Sequence, residues 1–356
     1  MTSKERVLTT FAHEEPDRVP INYYANGGID RRLRDYYRDV RGDSRDLALI
    51  LGVDFRGAGP RYTGPKLHEE VPDRKVDSLW GIHTRYIEHE SGGYWDFCDF
   101  PLKDADEETV ANWPMPNPDD FDYSGIAEAC REQEQYAIYC GGAGDADIIN
   151  SNGFLRGMEQ TLIDLALEDP VGLLLADRRM EIQVECTRRI IEAAQGKIDF
   201  LWLGEDLGTQ RGPIISEKLL QRVIAPRYKA FCDLANAHDL PVMMHCCGSS
   251  SWAFDAFVEW GIGVVDTLQP EAKDMEPAYL KATFGDRLAF HGCISTAGPV
   301  AYGSKQEVID DCTEKLEIMM PGGGYCFAPT HQLQDNSPTE NVLAMYEVAK
   351  RVGVYR

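Results

Sequence analysis

A histidine and a cysteine stand two positions apart in PVMMHCCG (241–248), as His245 and Cys247. On a strand this spacing puts both side chains on one face and turns Cys246 to the other. An imidazole beside a thiol supplies two donors of a zinc site. An H-x-C pair is short, however, and a buried histidine next to a core cysteine satisfies the same spacing. His331, in APTHQLQDNSPTEN, adds a second imidazole from a loop between a strand and a helix, where a plain hydrogen-bonding residue would also fit. Together His245, Cys247 and His331 offer two nitrogens and a sulfur, the three-ligand, open-position set of a catalytic zinc. Such an ion lowers a thiol's pKa or polarises a leaving group. Glu205, ending DFLWLGED (199–206), reads either as general acid/base and fourth ligand or as a loop or capping carboxylate. Strand alternation sends Glu205 and Asp206 to opposite faces. Asp266 and His291 close two further apolar runs as weaker candidates, and Cys326, mid-strand, reads as core.

These residues need a scaffold that gathers strand ends. From about residue 135, short apolar runs at 136–142, 199–206, 241–248, 263–269, 287–295 and 323–329 alternate with helical patterns. The segments 175–195 and 217–238 carry apolar side chains at three- and four-residue intervals, the second with a kink expected at Pro226. Ser216, Ser304 and Ser337 precede helical stretches as N-caps. Strands apolar throughout and separated by helices imply a parallel sheet covered on both faces. The polar residues cluster at the strands' C-terminal ends, which converge in a barrel. No GxGxxG or GxxxxGK[ST] loop supports a nucleotide fold. The expectation is an α/β (β/α)8 TIM-type barrel in one domain over 1–356. Residues 1–130 would form an N-terminal extension and early barrel elements, and 131–356 regular βα units. The Pro-, Asp- and Gly-rich stretch 90–125 is the expected excursion from the main core.

Composition narrows the class. The chain has 356 residues, 43% of them hydrophobic, and a formal net charge of −23. That is apolar material enough for a large core, and charge enough to repel phosphate backbones and anionic lipid headgroups. Neither nucleic acid nor membrane is therefore an expected partner. No run approaches the roughly 20 apolar residues of a bilayer span. The opening MTSKERVLTTFAHEEPDRVP contains acidic residues and no long apolar run, so no signal or transit peptide is expected and the location is expected to be cytoplasmic. Ten cysteines there would be mostly thiols.

The order of several blocks resembles the uroporphyrinogen decarboxylase superfamily, in its methyltransferase-like branch of zinc-dependent, corrinoid-linked enzymes. ERVLTTFAHEEPDRVPI, DSLWGIHTRY, GEDLGTQRGPIISEKLLQRVIAPRYK, MMHCCGSS and APTHQLQDNSPTENVLAMYE carry the likeness along nearly the whole chain. The resemblance implies the same barrel with an N-terminal extension. Two departures stand out. Where decarboxylases carry an arginine-rich MRQAGRYL-like segment, this chain reads INYYANGGIDRRL, which removes cations a polycarboxylate would need. Where the corrinoid-linked enzymes carry a cysteine in a PGCG-like loop, this chain reads PTHQ, so His331 stands in the cysteine's place.

The resemblance implies zinc (Zn2+) on His245, Cys247 and His331, with Glu205 as fourth ligand or proton donor. A methyl group would pass between a small methylated substrate (an ether, amine or thiol) and cobalamin on a partner corrinoid protein. Asn22, Tyr24, Asn26, Arg211 and His291 are the candidate substrate-pocket residues, and a homodimer is allowed. A metal-independent decarboxylase of a small acid, favoured by Arg211, and a non-catalytic zinc-stabilised protein are the alternatives.

Overall fold

A computed structural model describes residues 1–90 and 92–356. One parallel sheet holds β1 (Phe55–Gly57), β2 (Ala137–Gly141), β3 (Phe200–Gly204), β4 (Val242–Cys246), β5 (Val264–Thr267), β6 (Ala289–Ile294) and β7 (Tyr325–Pro329). The strands pair in chain order, each parallel to the next. Helices such as Pro170–Ala193, Ala225–Ala237 and Lys305–Met319 return the chain between them. β3, β6 and β7 are buried at every residue, which is why they read as unbroken apolar runs.

The sheet curls. The Phe327 N–H of β7 donates to Pro20 O, Asn22 N–H donates to Phe327 O, and Asp54 N–H, just before β1, donates to Ile21 O. Residues 20–22 thus lie between the sheet's two edge strands, joined to β7 by a single parallel bridge at Ile21–Phe327. Seven paired strands stand where eight are expected. The six apolar runs after residue 135 all hold strands. β1, three residues long, is too short to carry a period of its own.

The excursion begins earlier than residue 90: a hairpin of His83–His89 and Gly92–Phe97 is extended by Lys75–Val76. A small second core of Leu102, Val110, Leu155 and Leu175 docks the excursion on the helical layer. Ser216 and Ser304 cap helices, Ser304 in a reciprocal box with Glu307. Ser337 does not cap: Pro338 follows it, the helix starts at Thr339, and the buried Ser337 hydroxyl has no partner. The helix does not break at Pro226. A π turn at Leu220–Ile224 widens the helix just ahead of the residue that lacks an N–H. Among the described residues no helix is long and apolar enough to cross a membrane.

Gly204, the last residue of β3, is packed against backbone: a Cβ there would sit 1.8 Å from Ala143 O. Gly204→Ala should therefore lower stability by about 2 kcal/mol, the usual scale of overpacking, seen as a lower denaturant midpoint at unchanged slope.

Candidate active site

The strand register builds the site. Asp266 on β5 lies level with His245 on β4 and with His291 on β6. Its carboxylate consequently reaches both rings: His245 Nδ1 donates to Oδ2 and His291 Nδ1 donates to Oδ1, each at 2.6 Å. Burial works against the Asp266 charge, but the two imidazoles outweigh it and hold the carboxyl well below the usual range. The chain of contacts continues from His291 Nε2 to Asn22 Nδ2 at 3.0 Å. Asn22 Oδ1 accepts the Tyr23 N–H, which turns the amide so that its NH2 faces His291. Thr267, whose hydroxyl is 2.9 Å from His245 Nδ1, has φ 100°, a left-handed backbone rare for a β-branched residue.

With Nδ1 held by Asp266, His245 presents Nε2 on the opposite edge. Cys247 Sγ lies 3.3 Å from it and Asp206 Oδ1 3.9 Å. The ligand atoms of Asp206, His245 and Cys247 all fall within 4.8 Å of one another. Burial opposes the imidazolium of His245, yet Asp266 and Cys247 raise its pKa well above the ordinary value. Burial pushes the Cys247 thiol up, and the neighbouring imidazole offsets part of that rise. An anionic oxygen, a sulfur and a ring nitrogen crowded together are a donor set that a divalent zinc-like cation satisfies. A carboxylate behind the ligating histidine is the arrangement that fixes such a ring's tautomer and orientation. On donor chemistry these residues fit zinc.

The third donor differs from the expected trio. Asp206, not His331, completes the group. The loop after β7 is tied down by Thr330 N–H to Ile294 O and by Leu333 N–H to Tyr24 O, and this leaves His331 exposed at the rim. Desolvation in the mouth, followed by the nearby His245, lowers the His331 pKa.

Glu205 and Asp206 do part company, as alternation requires. Asp206 Oδ1 accepts the Cys247 N–H at 2.7 Å and Oδ2 accepts Asn150 Nδ2 at 2.8 Å. Glu205 turns away into the protein, 1% exposed. There it accepts the Ile148 and Ile149 N–H groups at the start of the helix Ile149–Arg156 and the Tyr228 hydroxyl. Glu205 is thus placed as a helix-terminus carboxylate rather than as a ligand or proton donor at the cluster. Cys326 is fully buried in β7, its thiol pushed well up by desolvation.

Two cavities meet the cluster at His245, which lines both. An outer cleft of about 1530 Å³ includes His245, Asp206, His331, Tyr24 and Asn26 in its walls. An inner pocket of about 210 Å³ shares His245, His331 and Tyr24 with the cleft and adds Asn22 and His291. Asn26 also caps the helix Gly27–Arg41 and donates to Asp335 Oδ2. Arg211 lines neither cavity. It is exposed on the 208–213 loop, whose ends are held by the Gly208–Pro213 bridge. Sequence reasoning under-weighted Asp206 and the bridging role of Asp266. It missed Asn150 and the hairpin aromatics Tyr94 and Trp95, which wall the cleft. In-register neighbours of a candidate ligand were the available signal for Asp266.

Replacing Asp266 by Asn keeps the side chain's shape but removes the charge that both rings share. Zinc affinity should fall roughly 10- to 100-fold, the range for losing such an outer carboxylate. Competition with a chromophoric chelator measures it.

Comparison with known proteins places this geometry. A search of curated proteins finds no match. A solved structure of a methyltransferase from Methanosarcina mazei aligns over 99% of this chain and 99% of its own, with a TM-score of 0.65 and 16% sequence identity, and so shares the fold. The sequence profile described as uroporphyrinogen decarboxylase (URO-D) matches residues 175–352, which carry β3 to β7 and every residue of the cluster. The chain belongs to the uroporphyrinogen decarboxylase (URO-D) family.

Proposed function

We propose that the protein is a zinc-dependent methyltransferase, moving a methyl group between a small methylated substrate and the cobalamin of a corrinoid protein. The observation that carries this reading is the convergence of His245 Nε2, Cys247 Sγ and Asp206 Oδ1, with His245 in the walls of both cavities and Asp206 in the wall of the outer one. The name of the Methanosarcina mazei neighbour agrees with it. We also take residues 20–22 to stand as the eighth element of a closed barrel.

His245, Cys247 and Asp206 would hold the zinc. When bound, the ion supplies Lewis acidity to the heteroatom that gives up or receives the methyl group. Asp266 keeps the His245 ring aimed, and Asn150 with the Cys247 N–H keeps Asp206 aimed. The inner pocket holds the small reactant away from bulk water. His331, open to both cavities, can exchange a proton with the heteroatom. The outer cleft, walled in part by the exposed Tyr94 and Trp95 of the hairpin, is large enough for a macrocycle carried in by a partner.

A decarboxylase reading draws on Arg31 and Arg32 in the outer cleft. No lysine or arginine lines the inner pocket among the described residues, which leaves an acid there with histidines alone and no guanidinium to hold it. The test is formation of methylcobalamin from free cob(I)alamin and a panel of methanol, dimethyl sulfide, trimethylamine and anisole, read by absorbance. Chelator-sensitive turnover with at least one donor is the expected result. Chelator-insensitive release of carbon dioxide from a small acid, with no methyl transfer, overturns the proposal.

A further inference from the structure

We infer that His291, oriented by Asn22, is a positioning residue for the metal ligand His245 and not a contact for substrate. This rests on the zinc reading above for the ligand role of His245, though not for the proton positions. Both residues line the inner pocket, where a free polar group would meet the reactant. Neither ring nitrogen of His291 is free. Nδ1 lies 2.6 Å from Asp266 Oδ1, and Nε2 lies 3.0 Å from Asn22 Nδ2. A reactant in the pocket meets a ring whose hydrogen bonds are already spent.

The proton positions follow in order from a fixed donor. The Tyr23 backbone N–H donates to Asn22 Oδ1 at 2.8 Å, so the other end of that amide is its NH2. An NH2 only donates, so His291 Nε2 accepts and carries no proton. The ring's proton is then on Nδ1, where Asp266 Oδ1 accepts it. Edge-to-face packing on Phe55 at 5.5 Å and Trp202 at 5.9 Å holds the buried ring in this plane. The consequence for the cluster is mechanical. Asp266 stands in register between His245 and His291 and gives one oxygen to each. With Oδ1 held by His291, the carboxylate does not swing, and Oδ2 stays 2.6 Å from His245 Nδ1. That aims the Nε2 that faces Cys247 Sγ and Asp206 Oδ1. A ligating ring depends on its outer carboxylate for orientation, so a second anchor on that carboxylate acts on the metal through it.

Zinc affinity of the full-length protein, read by competition with a chromophoric chelator, tests this. His291→Phe keeps a ring in the same packing but loses the N–H. It should weaken zinc binding about 3- to 10-fold, the share of one hydrogen bond and less than the loss of the carboxylate itself. In an Asp266→Ala background the same substitution should change zinc affinity by less than about twofold, because the group it acts through is gone. Penalties that add in full overturn the inference, since His291 would then act by packing alone. Spectra of the zinc-loaded protein labelled with 15N in histidine give a readout that packing does not move. The His291 signals, identified by their loss in His291→Phe, should show a protonated Nδ1 and a bare Nε2. A proton on Nε2 overturns the inference. If His291→Phe does not fold, Asn22→Leu decides: it removes the donor to Nε2, and should weaken zinc binding and shift the His291 signals. Neither change in that variant overturns the inference as well. Wild-type protein that binds no zinc sinks the zinc reading and this one together. Zinc bound by the wild type and left unweakened by His291→Phe sinks this one alone.

Discussion

His245→Ala protein should purify without zinc and lose methyl transfer by more than the roughly 100-fold that outer-shell substitutions reach. The imidazole is the member of the group that both others face: Cys247 Sγ at 3.3 Å and Asp206 Oδ1 at 3.9 Å are measured to the same Nε2. Its removal leaves a thiol and a carboxylate with no nitrogen between them, and two anionic donors do not complete the three-ligand set of an open zinc site. The neighbours separate this explanation from general damage. Asp206→Ala should also strip the metal. Glu205→Gln should retain it, because Glu205 faces the Ile148 and Ile149 N–H groups and not the cluster. His331→Ala should retain zinc while slowing turnover. Elemental analysis of the purified variants checks all four. Zinc lost as fully from His331→Ala as from Asp206→Ala would restore His331 as a ligand and overturn the assignment made from the geometry.

The contrast between His331 and Asp206 shows which parts of the site the sequence could disclose. His245 and Cys247 were legible because a two-residue period on a strand needs no tertiary knowledge. That Glu205 and Asp206 point apart was legible for the same reason. Which of the two faces the mouth was not, since it depends on where the chain of β3 turns under Asn150 and the Cys247 N–H. His331 sits in a bend, whose side-chain direction has no period to read. The six long apolar strands were visible as runs because both faces are covered, while β1 and the bridge at Ile21 gain their place only from partners remote in sequence. Arg211 was favoured by its nearness to a strand end, but the 208–213 loop carries it outward.

Asp54→Ala should cost about 3 kcal/mol of stability, near the lower end for breaking a buried ion pair, and should loosen the substrate pocket as well. Asp54 is fully buried and serves three cationic or backbone donors at once. Arg6 Nη1 lies 2.7 Å from Oδ1, Arg18 Nη1 lies 2.7 Å from Oδ2, and the Ile21 N–H donates to Oδ2 at 2.8 Å. Alanine strands these donors where water cannot easily replace the carboxylate. The lower end applies because Arg6 keeps Asp17, and Arg18 keeps the Val19 and Gly52 carbonyls. The link to function runs through Ile21. Its neighbour Asn22 lines the inner pocket and contacts His291, which shares Asp266 with the candidate ligand His245. Denaturant unfolding should show a lowered midpoint, and methyl transfer at a temperature where the variant is still folded should weaken severalfold while zinc is retained. Asp54→Asn, which keeps an acceptor for the Ile21 N–H but gives up the charge, should recover the methyl transfer more fully than the stability. Equal recovery of both would mean that the charge, not the anchoring of residues 20–22, is what ties this hub to the pocket.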